Sequence, residues 1–125
     1  MSTKVLIVDD SSLARRTLRQ LLEGLGCHVE EASDGVQAIE RYFINRPELV
    51  ILDMVMSGMY GLDVLAKMRE MDPAACVIVA TADIQTSTAE QVRAAGAKAI
   101  LNKPVNRDQL TSTLKAVLAG GDTWN

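Results

Sequence analysis

Four short apolar runs, each stopping at a polar group, constrain this chain more than anything else in it. Val5-Leu6-Ile7-Val8 stops at Asp9-Asp10, and Leu49-Val50-Ile51-Leu52 stops at Asp53. Val77-Ile78-Val79-Ala80 stops at Thr81, and Ala97-Lys98-Ala99-Ile100-Leu101 is followed by Asn102-Lys103-Pro104. Runs this short and this apolar read as strands buried on both faces, the habit of a parallel sheet. Neighbouring parallel strands end on the same edge. Three carboxylates, a hydroxyl and an ammonium would then converge there.

Between the runs the pattern turns helical. Ser11–Leu25 carries Ala14, Leu18, Leu21, Leu22 and Leu25 on one face, with Arg15, Arg16, Arg19 and Glu23 on the solvated face opposite. His28–Ala32 is more polar and is expected at a sheet edge. Ser33-Asp34-Gly35 turns into a helix bearing Ile39, Tyr42 and Phe43. Glu48–Asp53 is the next strand, and 57–61 is read as a loop. A helix with Leu62, Leu65 and Met68 stops near Asp72-Pro73, and Cys76–Thr81 follows. The helix over Thr86–Ala95 has Val92 as its only large apolar residue, so little buried area holds it. Ala97–Leu101 is the last strand. The last helix starts near Asn106, uses Leu110, Leu114, Val117 and Leu118, and closes at Gly120-Gly121.

Strands alternating with helices predict an α/β, flavodoxin-like fold, a doubly wound parallel sheet of five strands with five helices. The order 2-1-3-4-5 is favoured because the two most apolar early strands belong at the centre. In that order ligands bind at the switch point between strands 1 and 3, where Asp9, Asp10 and Asp53 lie.

At 125 residues the chain is one domain. Residues 1–121 are assigned to it, and 122–125 to a short frayed tail with Trp124. A net charge of -3 and no Lys/Arg cluster argue against nucleic acid. No apolar stretch is long enough for a membrane span, and the start lacks the regions of a signal peptide, so a cytoplasmic location is expected. Cys27 and Cys76 are expected as two buried thiols, and His28, the single histidine, as a surface residue.

Crowded carboxylates repel unless a cation intervenes. Mg²⁺ suits such a site because it takes oxygen ligands and keeps several waters. Asp10 and Asp53 are expected as direct ligands, Asp9 through water, and the backbone carbonyl of Val55 as a further ligand. A carboxylate also serves as a nucleophile toward phosphorus. Mg²⁺ and Lys103 would then offset charge on the phosphoryl oxygens, with the Thr81 hydroxyl as a hydrogen-bond donor. Taken singly, each aspartate reads as a helix or loop cap, Thr81 as a strand residue and Lys103 as a solvated lysine. The joint pattern is far more specific. Asp34, Asp63, Asp72 and Asp108 lack that context and read as surface or cap residues.

These residues resemble the receiver domain of two-component response regulators over nearly the whole chain. The marks are Asp9-Asp10, Asp53 within Leu52-Asp53-Met54, Gly61, Thr81-Ala82 and Lys103-Pro104. As a free-standing domain the chain looks most like the CheY-like single-domain regulators. The resemblance implies that Asp53 accepts phosphate from a histidine kinase or phosphotransfer protein, and that Asp9 and Asp10 organise Mg²⁺. It implies that Thr81 moves toward the phosphoryl group, that Lys103 pairs with it, and that the Lys103–Pro104 peptide is cis. The chain departs from the family at Ser57, where Pro is usual, and at Ile100, where an aromatic ring usually turns inward. It departs again at Val55, where a polar side chain could orient an attacking water. Val55 predicts slow self-dephosphorylation and dependence on a phosphatase or on back-transfer. Asp83, two residues past Thr81, is a second candidate for tuning that rate.

The leading reading is a phosphorylation-controlled binding module acting on a downstream target protein, with chemotaxis as one pathway. Its output face would lie near Ile84, Ile100 and Asn102. Apart from its own phosphoryl transfer and slow dephosphorylation, no enzymatic activity is expected. A phosphate shuttle without conformational output is the alternative. A phosphohydrolase would need a second acid where Val55 stands, and a flavodoxin-like cofactor carrier would need a phosphate-binding loop where Asp9-Asp10 stand.

Overall fold

The computed structural model describes residues 3–56, 59–83 and 85–124. Strand β1 (Lys4–Val8) leads to helix α1 (Ser12–Gly24), then β2 (His28–Ala32), α2 (Gly35–Asn45) and β3 (Leu49–Asp53). Two-residue strands β4 (Val55–Met56) and β5 (Met59–Tyr60) form an antiparallel hairpin. Then come α3 (Gly61–Met71), β6 (Val77–Thr81), α4 (Thr86–Ala94), β7 (Ala99–Asn102) and α5 (Arg107–Leu118). The main sheet is parallel with order β2-β1-β3-β6-β7. Leaving the hairpin aside, this is the expected 2-1-3-4-5 order, with the more polar β2 at one edge.

Side chains alternate across the sheet. Leu6, Val8, Val50, Leu52, Val77 and Val79 pack on one face against α2, α3 and α4 through Tyr42, Leu65, Met68 and Val92. Val5, Ile7, Leu49, Ile51, Ile78 and Leu101 pack on the other against Leu18 and Leu22 of α1 and Leu110, Leu114 and Val117 of α5. Both faces are therefore covered, as the unbroken apolar runs require. The helix starts follow local chemistry. Ser11, Asp34 and Asn106 each accept a backbone N–H from the first turn of α1, α2 and α5.

The structure corrects several expectations. The 57–61 segment is not simply a loop: Met59 and Tyr60 pair with Met56 and Val55, while Ser57 lies outside the described residues. Phe43 and Leu118 belong to no core stripe, being 44% and 41% exposed. The Arg46 guanidinium lies over the Phe43 ring, 5.0 Å from its centroid. Cys27 and Cys76 are half-buried free thiols rather than buried ones, and partial burial raises the pKa of both. His28 is exposed, as expected. Thr123 and Trp124 of the tail are docked rather than frayed. Trp124 packs against the first core face and its Nε1 donates to the Ala97 carbonyl at 2.9 Å, while Thr123 N donates to the Lys98 carbonyl at 3.1 Å. An indole gains by burying its ring when its N–H finds an acceptor, and the open carbonyls before β7 supply one. Among the described residues no helix is long and apolar enough to cross a membrane.

Candidate phosphoacceptor and metal site

The carboxyl ends of β1, β3 and β6 and the segment after β7 meet on one edge. Asp9 and Asp53 are buried there, and Asp10 is exposed beside them. Asp9, Asp10 and Asp53 can each offer one carboxylate oxygen within 4.8 Å of the others. Lys103 Nζ reaches between two of them, 2.7 Å from Asp9 Oδ2 and 3.0 Å from Asp53 Oδ1. The Lys103–Pro104 peptide is cis, and Lys103 N donates to the Thr81 carbonyl at 2.9 Å, tying the lysine's backbone to the end of β6.

Asp9 is held at every polar atom. Its N–H donates to the Ala32 carbonyl at 3.1 Å, and its Oδ1 accepts from Ser11 N at 2.9 Å. Its Oδ2 takes Lys103, and its carbonyl accepts from Arg15 Nη1 at 2.6 Å. With both carboxylate oxygens engaged, Asp9 suits an indirect role toward a cation. Asp10 and Asp53 suit direct ligation.

Burial raises the Asp53 carboxyl above its ordinary pKa. The Lys103 bond opposes this, and repulsion from Asp9 and Asp10 adds to it. For Lys103, burial pulls downward, but the bonds to Asp9 and Asp53 outweigh it and raise the ammonium. One ammonium among three carboxylates leaves two formal negative charges at the site. An all-oxygen donor set, partly open to solvent and in need of positive charge, fits Mg²⁺ and offers nothing to a softer metal.

Gly61 explains how α3 begins so close to the acceptor. Its N–H donates to the Met54 carbonyl at 2.7 Å. A Cβ there would run into the Asp53 carbonyl oxygen and the Met54 backbone. Val55 starts β4 two residues beyond Asp53 and its side chain is 66% exposed. It offers water at the mouth of the site no hydrogen bond.

Thr81 is buried at the end of β6, and its hydroxyl accepts the Asp83 N–H at 3.1 Å. Asp83 in turn accepts Gln85 N at 3.1 Å and the Thr88 hydroxyl at 2.9 Å. Asp83 therefore ties Thr81 to the first turn of α4. Ile100 is half-buried on β7 opposite Val79, and Asn102 is exposed opposite Thr81. Ile84 lies outside the described residues.

Three residues escaped the sequence reading. Arg15 was expected on a solvated face, yet its side chain is only 17% exposed and its Nε bonds Glu31 Oε1 at 2.9 Å. Arg19 likewise bonds Glu31 Oε2 at 2.7 Å. The polar residue in β2 was the available signal, since an edge-strand carboxylate beside three arginines invites pairing. Thr88, buried in α4, gave no comparable signal.

A doubly wound α/β domain with a magnesium-compatible acidic site at its switch point is the class that this geometry defines. The chain belongs to the response regulator receiver domain family, whose model matches residues 5–115. It is 33% identical to the chemotaxis protein CheY of Halobacterium salinarum over 118 residues, covering 94% of this chain and 98% of that protein. It is 36% identical over 120 residues to the response regulator MprA of Mycobacterium sp., covering 94% of this chain but 51% of that protein. Among solved structures it resembles the CheX–CheY–BeF3–Mg²⁺ complex from Borrelia burgdorferi, with a TM-score of 0.84, 30% identity, and coverage of 88% of this chain and 84% of that one.

Proposed function

We propose that the domain is a phosphorylation-controlled switch that takes a phosphoryl group onto Asp53 from a histidine kinase or phosphotransfer protein. The observation that carries this reading is Lys103 Nζ seated between Asp9 and Asp53 beside an oxygen-only cluster fit for Mg²⁺. An Asp53 carboxylate oxygen forms the new O–P bond while the donor's N–P bond breaks and its electron pair stays on the imidazole. Lys103 offsets charge on the phosphoryl oxygens. Bound Mg²⁺, held by Asp10 and Asp53 with the Val55 carbonyl, would draw off further charge.

The output follows from Thr81. Turning its hydroxyl toward a phosphoryl oxygen gives up the Asp83 N–H bond, and Asp83 holds the first turn of α4. A downstream partner that binds the two arrangements unequally then reads the state. Ile100 stands where relatives carry an aromatic ring, and it is the one observation favouring a phosphate shuttle without conformational output.

The deciding experiment adds Mg²⁺ and beryllofluoride, an aspartyl-phosphate mimic, and records NMR shifts beside Asp53→Asn. Mg²⁺-dependent shifts spreading from Asp53 through Thr81 and Thr88 to Ile100 are expected. Shifts confined to the strand ends would leave the shuttle, and no binding would remove both readings. The exposed apolar Val55 supports slow self-dephosphorylation and a need for a separate phosphatase. Phosphate loss from Val55→Asn is expected to outpace that from the native protein, and equal decay rates would remove the argument.

A further inference from the structure

Arg15 stands outside the acid cluster, six residues from Asp9 and on a helix, yet it touches the backbone that carries the cluster. Its Nη1 donates to the Asp9 carbonyl at 2.6 Å, and its Nε donates to Glu31 at 2.9 Å. Glu31 takes Arg19 on its other oxygen at 2.7 Å, and Arg19 also reaches Glu23 at 3.2 Å. The planar guanidinium thus spans two acceptors on different elements, a carbonyl on the β1–α1 connection and a carboxylate on β2. A lysine ammonium lacks that rigid fork.

The Asp9 carbonyl belongs to the peptide that joins Asp9 to Asp10. Fixing its direction fixes that peptide plane, and with it the direction in which Asp10 leaves the strand. Asp10 is the exposed member of the acid cluster, and its backbone leaves the strand through that peptide. We propose that Arg15, held by Glu31, is a positioning residue for the cation site, aiming Asp10 through the Asp9 carbonyl. This rests on the reading of the three acids as a Mg²⁺ site.

Electrostatics alone predicts the opposite sign. Removing a positive charge near an acidic cluster strengthens its attraction for a cation, whereas removing a residue that orients a ligand weakens binding. Arg19 supplies the control. It makes a shorter pair with the same Glu31 but donates no bond to Asp9.

The test measures Mg²⁺ affinity directly, by NMR titration of the unphosphorylated protein, for Arg15→Met, Arg15→Lys, Arg19→Met and Glu31→Gln. Residues that orient metal ligands typically contribute about 10-fold or more in affinity. Arg15→Met is expected to weaken Mg²⁺ binding about 10-fold, and Glu31→Gln by less. Arg15→Lys is expected between native and Arg15→Met, and it carries the test should Arg15→Met fail to fold. Arg19→Met is expected to stay close to native. Unchanged or tighter binding in both Arg15 variants, or equal weakening in Arg19→Met, would overturn the proposal. If the native protein binds no Mg²⁺, the site reading itself falls and this inference goes with it.

Discussion

The acid-bearing side of the site, built from β1, β3, α1 and β2, is held by large buried leucines and by ion pairs that cross between elements, whereas on the hydroxyl-bearing side, at the end of β6, helix α4 is held by small side chains and turn hydrogen bonds. Leu18 and Leu22 seat α1, and Arg15 and Arg19 clamp it to Glu31. Thr88 and Val92 are the buried residues of α4, and Asp83 joins its first turn to Thr81. Burying less apolar surface makes a segment easier to displace. The comparison separates two physical demands. Ligands to a cation must stay put, and a segment that answers a new charge must shift at low cost.

Three substitutions test this contrast, in decreasing order of effect. Gly61→Ala strikes the fixed side, where a methyl group meets the Asp53 carbonyl and the Met54 backbone. A loss of about 3 kcal/mol in urea unfolding is expected, because backbone cannot yield as a side chain can. A loss under about 0.5 kcal/mol would show that the acceptor strand is softer than its packing indicates.

Asp83→Ala strikes the other side. It removes the acceptor of Gln85 N and of the Thr88 hydroxyl. A capping-type loss of about 1 kcal/mol is expected. Amide hydrogen exchange should quicken in the first turn of α4 and stay unchanged in α1. Equal quickening in both helices would erase the distinction.

Glu31→Gln has the smallest expected effect. Burial alone would raise the Glu31 carboxyl, but the bonds from Arg19 and Arg15 outweigh it and hold the group below its ordinary 4.5. A lowered folded value means that the pair's contribution is complete above pH 4.5 and is lost as pH falls through that lowered value. Near neutral pH the variant should be less stable by about 1 kcal/mol, discounted for a partly exposed pair. The difference from native should vanish in acid, and a constant difference across the pH range would mean that the bonds do not depend on the charge.

The sheet and the main acids were legible in the sequence because both obey short-range rules. A strand buried on both faces needs an unbroken apolar run, and Leu49–Leu52 is one. The residue that stops the run then lies at the sheet edge, which is how Asp9, Asp53 and Thr81 could be grouped. What escaped depends on contacts between distant segments. Arg15 looks solvated on its own helix because its partner Glu31 is sixteen residues away. Thr88 looks like an ordinary helix residue until Asp83 bends back to meet it. The β4–β5 hairpin is too short to show a period, and Phe43 and Leu118 fall just off the buried stripes of their helices.

Trp124 has a practical consequence. It is the only tryptophan in the chain. Its indole N–H is anchored to Ala97, which precedes β7, so it sits at the end of the sheet opposite the acids. Fluorescence from this protein therefore observes the seam between α4 and β7 and is blind to the immediate surroundings of Asp53. An emission change on loading the acidic edge would be a signal carried across the whole height of the domain, read without any added label.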